Sequence, residues 1–96
     1  MPEAFARAER GATLVDVRSQ AEFRGSHPKG ARNVPPGRIE DDNTGFARDE
    51  ELPVICLSGH RGPRQAKRLA SMGYANVSNV RGGLMAWKKA RLPLER

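Results

Sequence analysis

Ninety-six residues make one small domain with little core to spare, and the longest apolar stretch is far too short to cross a membrane, so a soluble chain is expected. Lys and Arg number 17 against 11 Asp and Glu, a net charge of +6, but the basic residues are scattered from Arg7 to Arg96 and five aromatics accompany them without interleaving, which argues against nucleic-acid binding. The charge is better read as a field that draws small anions. A single cysteine, Cys56, rules out an internal disulfide, and no charged segment followed by an apolar one opens the chain, so a reducing, cytoplasmic setting is expected.

Glu3 to Arg10 reads as a helix with Phe5, Ala8 and Ala4 on one side and Gly11 as its stop. Thr13 to Val17 is a strand whose unbroken hydrophobic centre implies burial on both faces. A short helix or turn is expected around Gln20 to Arg24, a loop over Gly25 to Gly30, and a short strand over Ala31 to Val34, ended by Pro35-Pro36-Gly37. Residues 38 to 51 are polar, with a turn at Asp41 to Gly45. The run Pro53 to Leu57 is a second buried strand. Residues 63 to 72 place Ala66, Leu69 and Ala70 on one helical face, with Pro63 in the first turn and Gly73 as the stop. Asn76 to Val80 reads as a third inner strand, and Gly83 to Ala90 as a last helix with Leu84, Trp87 and Met85 facing inward. Strands alternating with helices at this spacing imply an α/β fold, a parallel sheet covered on both faces, in one domain over 1–96.

The chemistry concentrates at Cys56, where the second strand breaks into Ser58-Gly59-His60-Arg61-Gly62-Pro63-Arg64. A thiol there faces loop amides and the positive end of a helix dipole, both of which favour a thiolate. An ordinary thiol, with a pKa of about 8.5, is only a few per cent ionised at neutral pH, and two units of lowering correspond to about 2.7 kcal/mol of preferential anion stabilisation. The helix terminus, the amides and the cations of Arg61 and Arg64 are sources of that amount. The blander alternative is an inert core cysteine, which would not require the glycine-rich loop that follows.

Cys56-Leu57-Ser58-Gly59-His60-Arg61 resembles the active-site loop of single-domain rhodaneses, Cys-x-x-Gly-x-Arg opening a helix. Two further stretches agree: Leu14-Val15-Asp16-Val17-Arg18 with Glu22-Phe23, His27, Gly30-Ala31, Asn33 and Pro35, and Val80-Arg81-Gly82-Gly83-Leu84-Met85-Ala86-Trp87 near the C-terminus. The resemblance implies a rhodanese-like domain and a sulfurtransferase. Cys56 would be the nucleophile, holding sulfur as a persulfide between an anionic donor such as thiosulfate and a thiol, cyanide or protein acceptor. Leu57, Ser58, Gly59, His60, Arg61 and Gly62 would form the substrate-binding loop, and Asp16 and Arg18 would brace it. No cofactor or metal is implied, and His27, a lone histidine, reads as structural. Family members usually open with an extra edge strand; only Met1 and Pro2 precede the first helix here, so that strand is expected to be missing or degenerate, or the chain shortened.

Departures from the family pattern are Gly62, where Ser or Ala is common, Gln65, where a small apolar residue is usual, and His27-Pro28-Lys29-Gly30-Ala31 in place of His-Ile-Pro-Gly-Ala. Alternatives to a sulfurtransferase are a sulfur-carrier or regulatory module acting on a protein partner, and a phosphatase or arsenate reductase. The last two need Cys-x5-Arg or a second thiol, and this chain has Arg61 one residue too early and one cysteine.

Overall fold

A computed structural model describes residues 3–57 and 61–96. Helix α1, Glu3–Glu9, leads to strand β1, Val15–Asp16, and then to α2, Gln20–Gly25; strands β2, His27–Pro28, and β3, Arg32–Asn33, precede α3, Pro36–Glu40. Strand β4, Leu52–Ile55, then α4, Gly62–Ser71, β5, Val77–Asn79, α5, Gly83–Lys89, and β6, Leu94–Glu95, complete the order. The main sheet is β3-β1-β4-β5, parallel throughout, with Val15 opposite Val54 and Asp16 opposite Ile55. An antiparallel ribbon pairs β2 with β6.

Alternation along β1 and β4 divides the core, because successive side chains leave opposite faces of a sheet. Val15, Val17 and Val54 pack with Ile39 of α3, Leu69 of α4 and Tyr74 on one face. Leu14 and Ile55 pack with Ala4 of α1, Leu84 and Trp87 of α5 and Leu92 on the other. Covering both faces is what makes the two strands read as unbroken apolar runs. Cys56 continues the alternation of β4 and belongs to the face covered by α3 and α4.

Several local expectations need correction. Residues 25–30 are not all loop, since His27 and Pro28 pair with Glu95 and Leu94. The stretch after Pro35 is not polar irregular chain throughout: Pro36 supplies the first turn of α3, and Ile39 is fully buried, so tertiary burial decides where local turn signals point the other way. Strand β5 lies at the edge of the sheet rather than inside it. On α4, Leu69 is buried as expected, but Ala70 is exposed and Gln65 turns inward; on α5, Leu84 and Trp87 are buried but Met85 faces outward, 59% exposed. The expected absence of an edge strand before α1 concerns Met1 and Pro2, which lie outside the described residues.

Replacing Ile39 with Ala removes a fully buried side chain from the α3 interface and is expected to cost about 2–5 kcal/mol. The measure is a lowered urea midpoint with an unchanged m-value; a midpoint equal to that of the unaltered protein would mean that α3 is not docked.

Candidate active site

Strand β4 ends at Ile55, and the next two carbonyls turn towards the first turn of α5. Leu84 N–H donates to the Cys56 carbonyl at 2.7 Å, and Met85 N–H to the Leu57 carbonyl at 2.9 Å. These amides are the orphan donors of a helix start, and the carbonyls satisfy them. The approach is possible because residue 83 is glycine: a Cβ there would run into the Cys56 carbonyl oxygen and lie 2.9 Å from the Leu57 carbonyl carbon, at a φ of +57°. Gly82, at φ +79°, is the N-cap, where a Cβ would sit 2.7 Å from that of Ala86. The paired glycines thus serve close backbone packing behind the Cys56 loop.

Cys56 is 1% exposed, and a Cβ on Gly62 would lie 3.5 Å from its sulfur. The thiol therefore sits against the first residue of α4, whose N-cap is Arg61, so the N-terminal end of a ten-residue helix adjoins it. The same Cβ would collide with Oδ1 of Asn79, at the end of β5. With glycine at 62, the end of the Asn79 side chain occupies the space that a serine or alanine Cβ would enter.

Because β1 lies beside β4, Asp16 and Arg18 come to the same end of the sheet as Cys56, and Val17 N–H donates to the Ile55 carbonyl at 3.0 Å. The two side chains form a buried ion pair: Arg18 Nη2 is 2.8 Å from Asp16 Oδ2, and Nε is 3.0 Å from Oδ1. Arg18 Nη2 also donates to the Ser26 carbonyl at 2.6 Å, and the Asn33 amide donates to the carbonyls of Asp16 and Arg18, both at 3.0 Å. These bonds tie β1 to the turn after α2 and to β3. Asp16 acts on Arg61 through its charge, a small contribution that favours the guanidinium.

Arg61 is held from across the cleft. Its Nη1 and Nη2 donate to Oε1 and Oε2 of Glu22, each at 3.1 Å, a two-pronged pair. Glu22 is also the third residue of α2 in a capping box, since Ser19 Oγ accepts from Glu22 N–H at 3.2 Å and Ser19 N–H donates to Oε1 at 3.1 Å. The guanidinium, followed by the Ser19 amide, holds the Glu22 carboxyl down at about 2. In return, Glu22 raises the pKa of Arg61, with smaller contributions from the charges of Cys56 and Asp16. Arg61 thus stands within electrostatic reach of the thiol while anchored to α2.

Of the residues singled out from sequence, Asp16, Arg18, Cys56, Arg61 and Gly62 gather at this end of the sheet, and Leu57 lies there, 41% exposed. Ser58, Gly59 and His60 lie outside the described residues. His27 stacks on Phe23 with ring centroids 3.7 Å apart, and its Nδ1 bonds the Phe23 carbonyl at 2.8 Å, a structural placement. Sequence reasoning missed the roles of Glu22 and Asn79. The spacing Ser19-x-x-Glu22 carried a capping-box signal, but its partnership with Arg61 joins positions 39 apart and leaves no local trace. Asn79 carried none.

The chain matches a family model described as the Rhodanese-like domain over residues 2–90. It is 35% identical over 100 residues to thiosulfate sulfurtransferase GlpE of Haemophilus influenzae, covering 97% of this chain and 89% of that protein. It is 33% identical over 85 residues to the uncharacterized protein YqhL of Bacillus subtilis, covering 88% of this chain and 68% of that protein. Among solved structures, the rhodanese-like domain of the Alr3790 protein from Anabaena sp. superposes with a TM-score of 0.84 at 26% identity, over 94% of this chain and 71% of that one. The shared fold agrees with the covered parallel sheet described above.

The Glu22–Arg61 pair makes stability depend on pH in a defined direction. Its carboxyl is held from 4.5 down to about 2, so the contribution is complete above about pH 5 and is lost as pH falls from 4.5 towards 2. Because the pair is partly exposed, the contribution should be below about 1 kcal/mol. Urea midpoints of the unaltered protein and of Glu22→Gln should differ by a constant amount between pH 5 and 8 and converge as the pH approaches 2; a difference that persists at pH 2 would contradict the assignment.

Proposed function

The chain belongs to the rhodanese-like family, and we propose that it is a sulfurtransferase that works through a persulfide on Cys56. The observation that supports this reading is the placement of the thiol at the C-terminal end of β4, against the start of α4, with the carbonyls of Cys56 and Leu57 turned away into α5. Parallel sheets offer ligands this edge. Turning the carbonyls of Cys56 and Leu57 towards α5 keeps two partial negative charges directed away from the loop interior, where an anion is to be held.

The thiolate of Cys56 attacks the outer sulfur of a donor such as thiosulfate. A new Sγ–S bond forms, the S–S bond of the donor breaks, and its electron pair leaves on sulfite. A thiophilic acceptor, a thiolate or cyanide, then takes the outer sulfur and returns the electron pair to Sγ. Two half-reactions with a covalent intermediate predict ping-pong kinetics. Leu57 to Gly62 form the donor-binding loop, and Arg61 adds positive charge at its end. Asp16 and Arg18 support the loop by fixing the end of β1 beside it. No helix of the described residues is long and apolar enough to cross a membrane, and a cytoplasmic site of action is part of the same proposal.

A second reading is favoured by one observation. Arg61 is already engaged by Glu22, which lowers its capacity to receive a small free anion. The Cys56 persulfide would then be loaded from, or passed to, a protein partner, with thiosulfate a poor donor.

Intact mass after incubation with thiosulfate tests the main reading: a gain of one sulfur, lost on adding cyanide, is expected. Cys56→Ser should keep the fold and lose the gain entirely, since a serine hydroxyl is too basic to ionise at neutral pH. Transfer to cyanide at a comparable rate by that variant would remove Cys56 from the mechanism.

Arg61→Ala should raise KM for thiosulfate more than it changes kcat, because a cation near an anionic donor acts mainly on ground-state binding. An unchanged KM would assign Arg61 to anchoring α2. No aryl phosphatase activity above background is expected from the six-residue span Cys56 to Arg61, and Cys56-dependent hydrolysis would move the assignment to a phosphatase.

A further inference from the structure

Arg61 and Glu22 come from different elements, and each is fixed independently of the other. Arg61 is the N-cap of α4, directly before Gly62, whose Cβ position lies 3.5 Å from the Cys56 sulfur. Glu22 is held within α2, where Ser19 N–H and Ser19 Oγ donate to its Oε1 at 3.1 and 3.0 Å. Helix α2 is tied down in turn: Ser26 N–H donates to the Glu22 carbonyl, the Ser26 carbonyl receives Arg18, and Phe23 stacks on the buried His27 ring. An ordinary surface ion pair gains little because it must immobilise two long side chains, whereas here other contacts already restrain one partner.

Both side chains remain partly exposed, so a small solute can reach them from solvent. The guanidinium feels the charge of Cys56, and it has more N–H groups than the two prongs to Glu22 use. What Glu22 removes is net charge, because its carboxyl, held down at about 2, stays ionised throughout the neutral range. An incoming anion therefore meets hydrogen-bond donors whose positive charge is already compensated. The repulsion from Glu22 scales with the charge of that anion, so a doubled charge doubles the penalty.

Resting on the persulfide chemistry proposed above, we propose that Glu22 is a specificity-determining residue: as the built-in counter-anion of Arg61 it limits the charge a sulfur donor can bring to the Cys56 loop, and it favours monoanionic donors over dianionic ones of the same shape. Thiosulfate and methanethiosulfonate form such a pair, with a methyl group in the second replacing an ionised oxygen in the first. The covalent step is the same for both. The Cys56 thiolate forms the Sγ–S bond, the S–S bond of the donor breaks, and its electron pair leaves on sulfite or on methanesulfinate. Only the charge that Glu22 opposes differs.

The test compares kcat/KM for thiosulfate and for methanethiosulfonate, with cyanide as the acceptor for both. Glu22→Gln keeps a side-chain oxygen for the Ser19 amide, so α2 stays capped while the charge is removed. It should raise the thiosulfate-to-methanethiosulfonate ratio by about two- to fivefold, the range of an exposed ion pair, and high salt should shrink the difference from the unaltered protein. Glu22→Ala, which also uncaps α2, should raise the ratio by a similar factor even where it slows both donors, whereas a purely structural role would move the two donors together. Sulfate and methanesulfonate, which carry no transferable sulfur, give the same comparison without catalysis: in Glu22→Gln, sulfate should tighten relative to methanesulfonate, read from the backbone amide NMR shift of Gly62. Unchanged ratios in Glu22→Gln would overturn the inference. A protein that gains and loses sulfur with unchanged ratios refutes the role of Glu22 alone, and one in which Glu22→Gln tightens sulfate but no sulfur is gained refutes the persulfide chemistry alone.

Discussion

Two hydrogen bonds, from the first turn of α5 to the carbonyls of Cys56 and Leu57, fix the geometry on which the site depends. They turn a helix start, with its unsatisfied donors, into a template for the loop that follows β4. The thiol is then directed to the opposite face of the sheet, against α4. Glycine at 83 is the condition for this contact, because any Cβ would meet the loop backbone itself, which cannot move aside as a flexible side-chain end could. Around this fixed point the other supports are peripheral: the Asp16–Arg18 pair steadies the neighbouring strand, and Glu22 holds the far end of the loop through Arg61.

The two helix starts play different parts. That of α5 is used up on loop carbonyls, whereas that of α4 adjoins the sulfur. One organises the backbone and the other supplies field. Asn79 closes the remaining gap, taking the volume left by a glycine at 62, so a substitution at either position has to be read together with the other.

Much of this was legible in the sequence. Strands β1 and β4 announced themselves as short apolar runs because both of their faces are covered, and α4 and α5 did so through apolar spacing that ends at Gly73 and Ala90. Cys56, Asp16 and Arg18 stood out as chemistry-bearing residues at strand ends. What escaped depends on contacts between distant segments. Strand β2 is two residues long and includes a proline, so only its pairing with β6 makes it a strand. Helix α3 begins among prolines and a glycine and is secured by the burial of Ile39. Gln65 sits on an inward face that apolar spacing assigned to Ala70, since a hydropathy pattern has no means of marking a buried polar group.

The β2–β6 ribbon has a consequence for the order in which the molecule is completed. His27 finds its sheet partner in Glu95, and Gly30 N–H donates to the carboxylate of the same residue at 2.9 Å. Immediately before β2 lies the Ser26 carbonyl that receives Arg18. During synthesis the N-terminal half can assemble β1, α2 and β3 early, but the turn that accepts Arg18 gains its sheet partner only once the final strand has left the ribosome. A contact of such long range is entropically slow to close and forms after the local elements. The β2–β6 pairing is therefore among the last contacts to close, whereas the Asp16–Arg18 and Arg18–Ser26 bonds, local in sequence, can form before it.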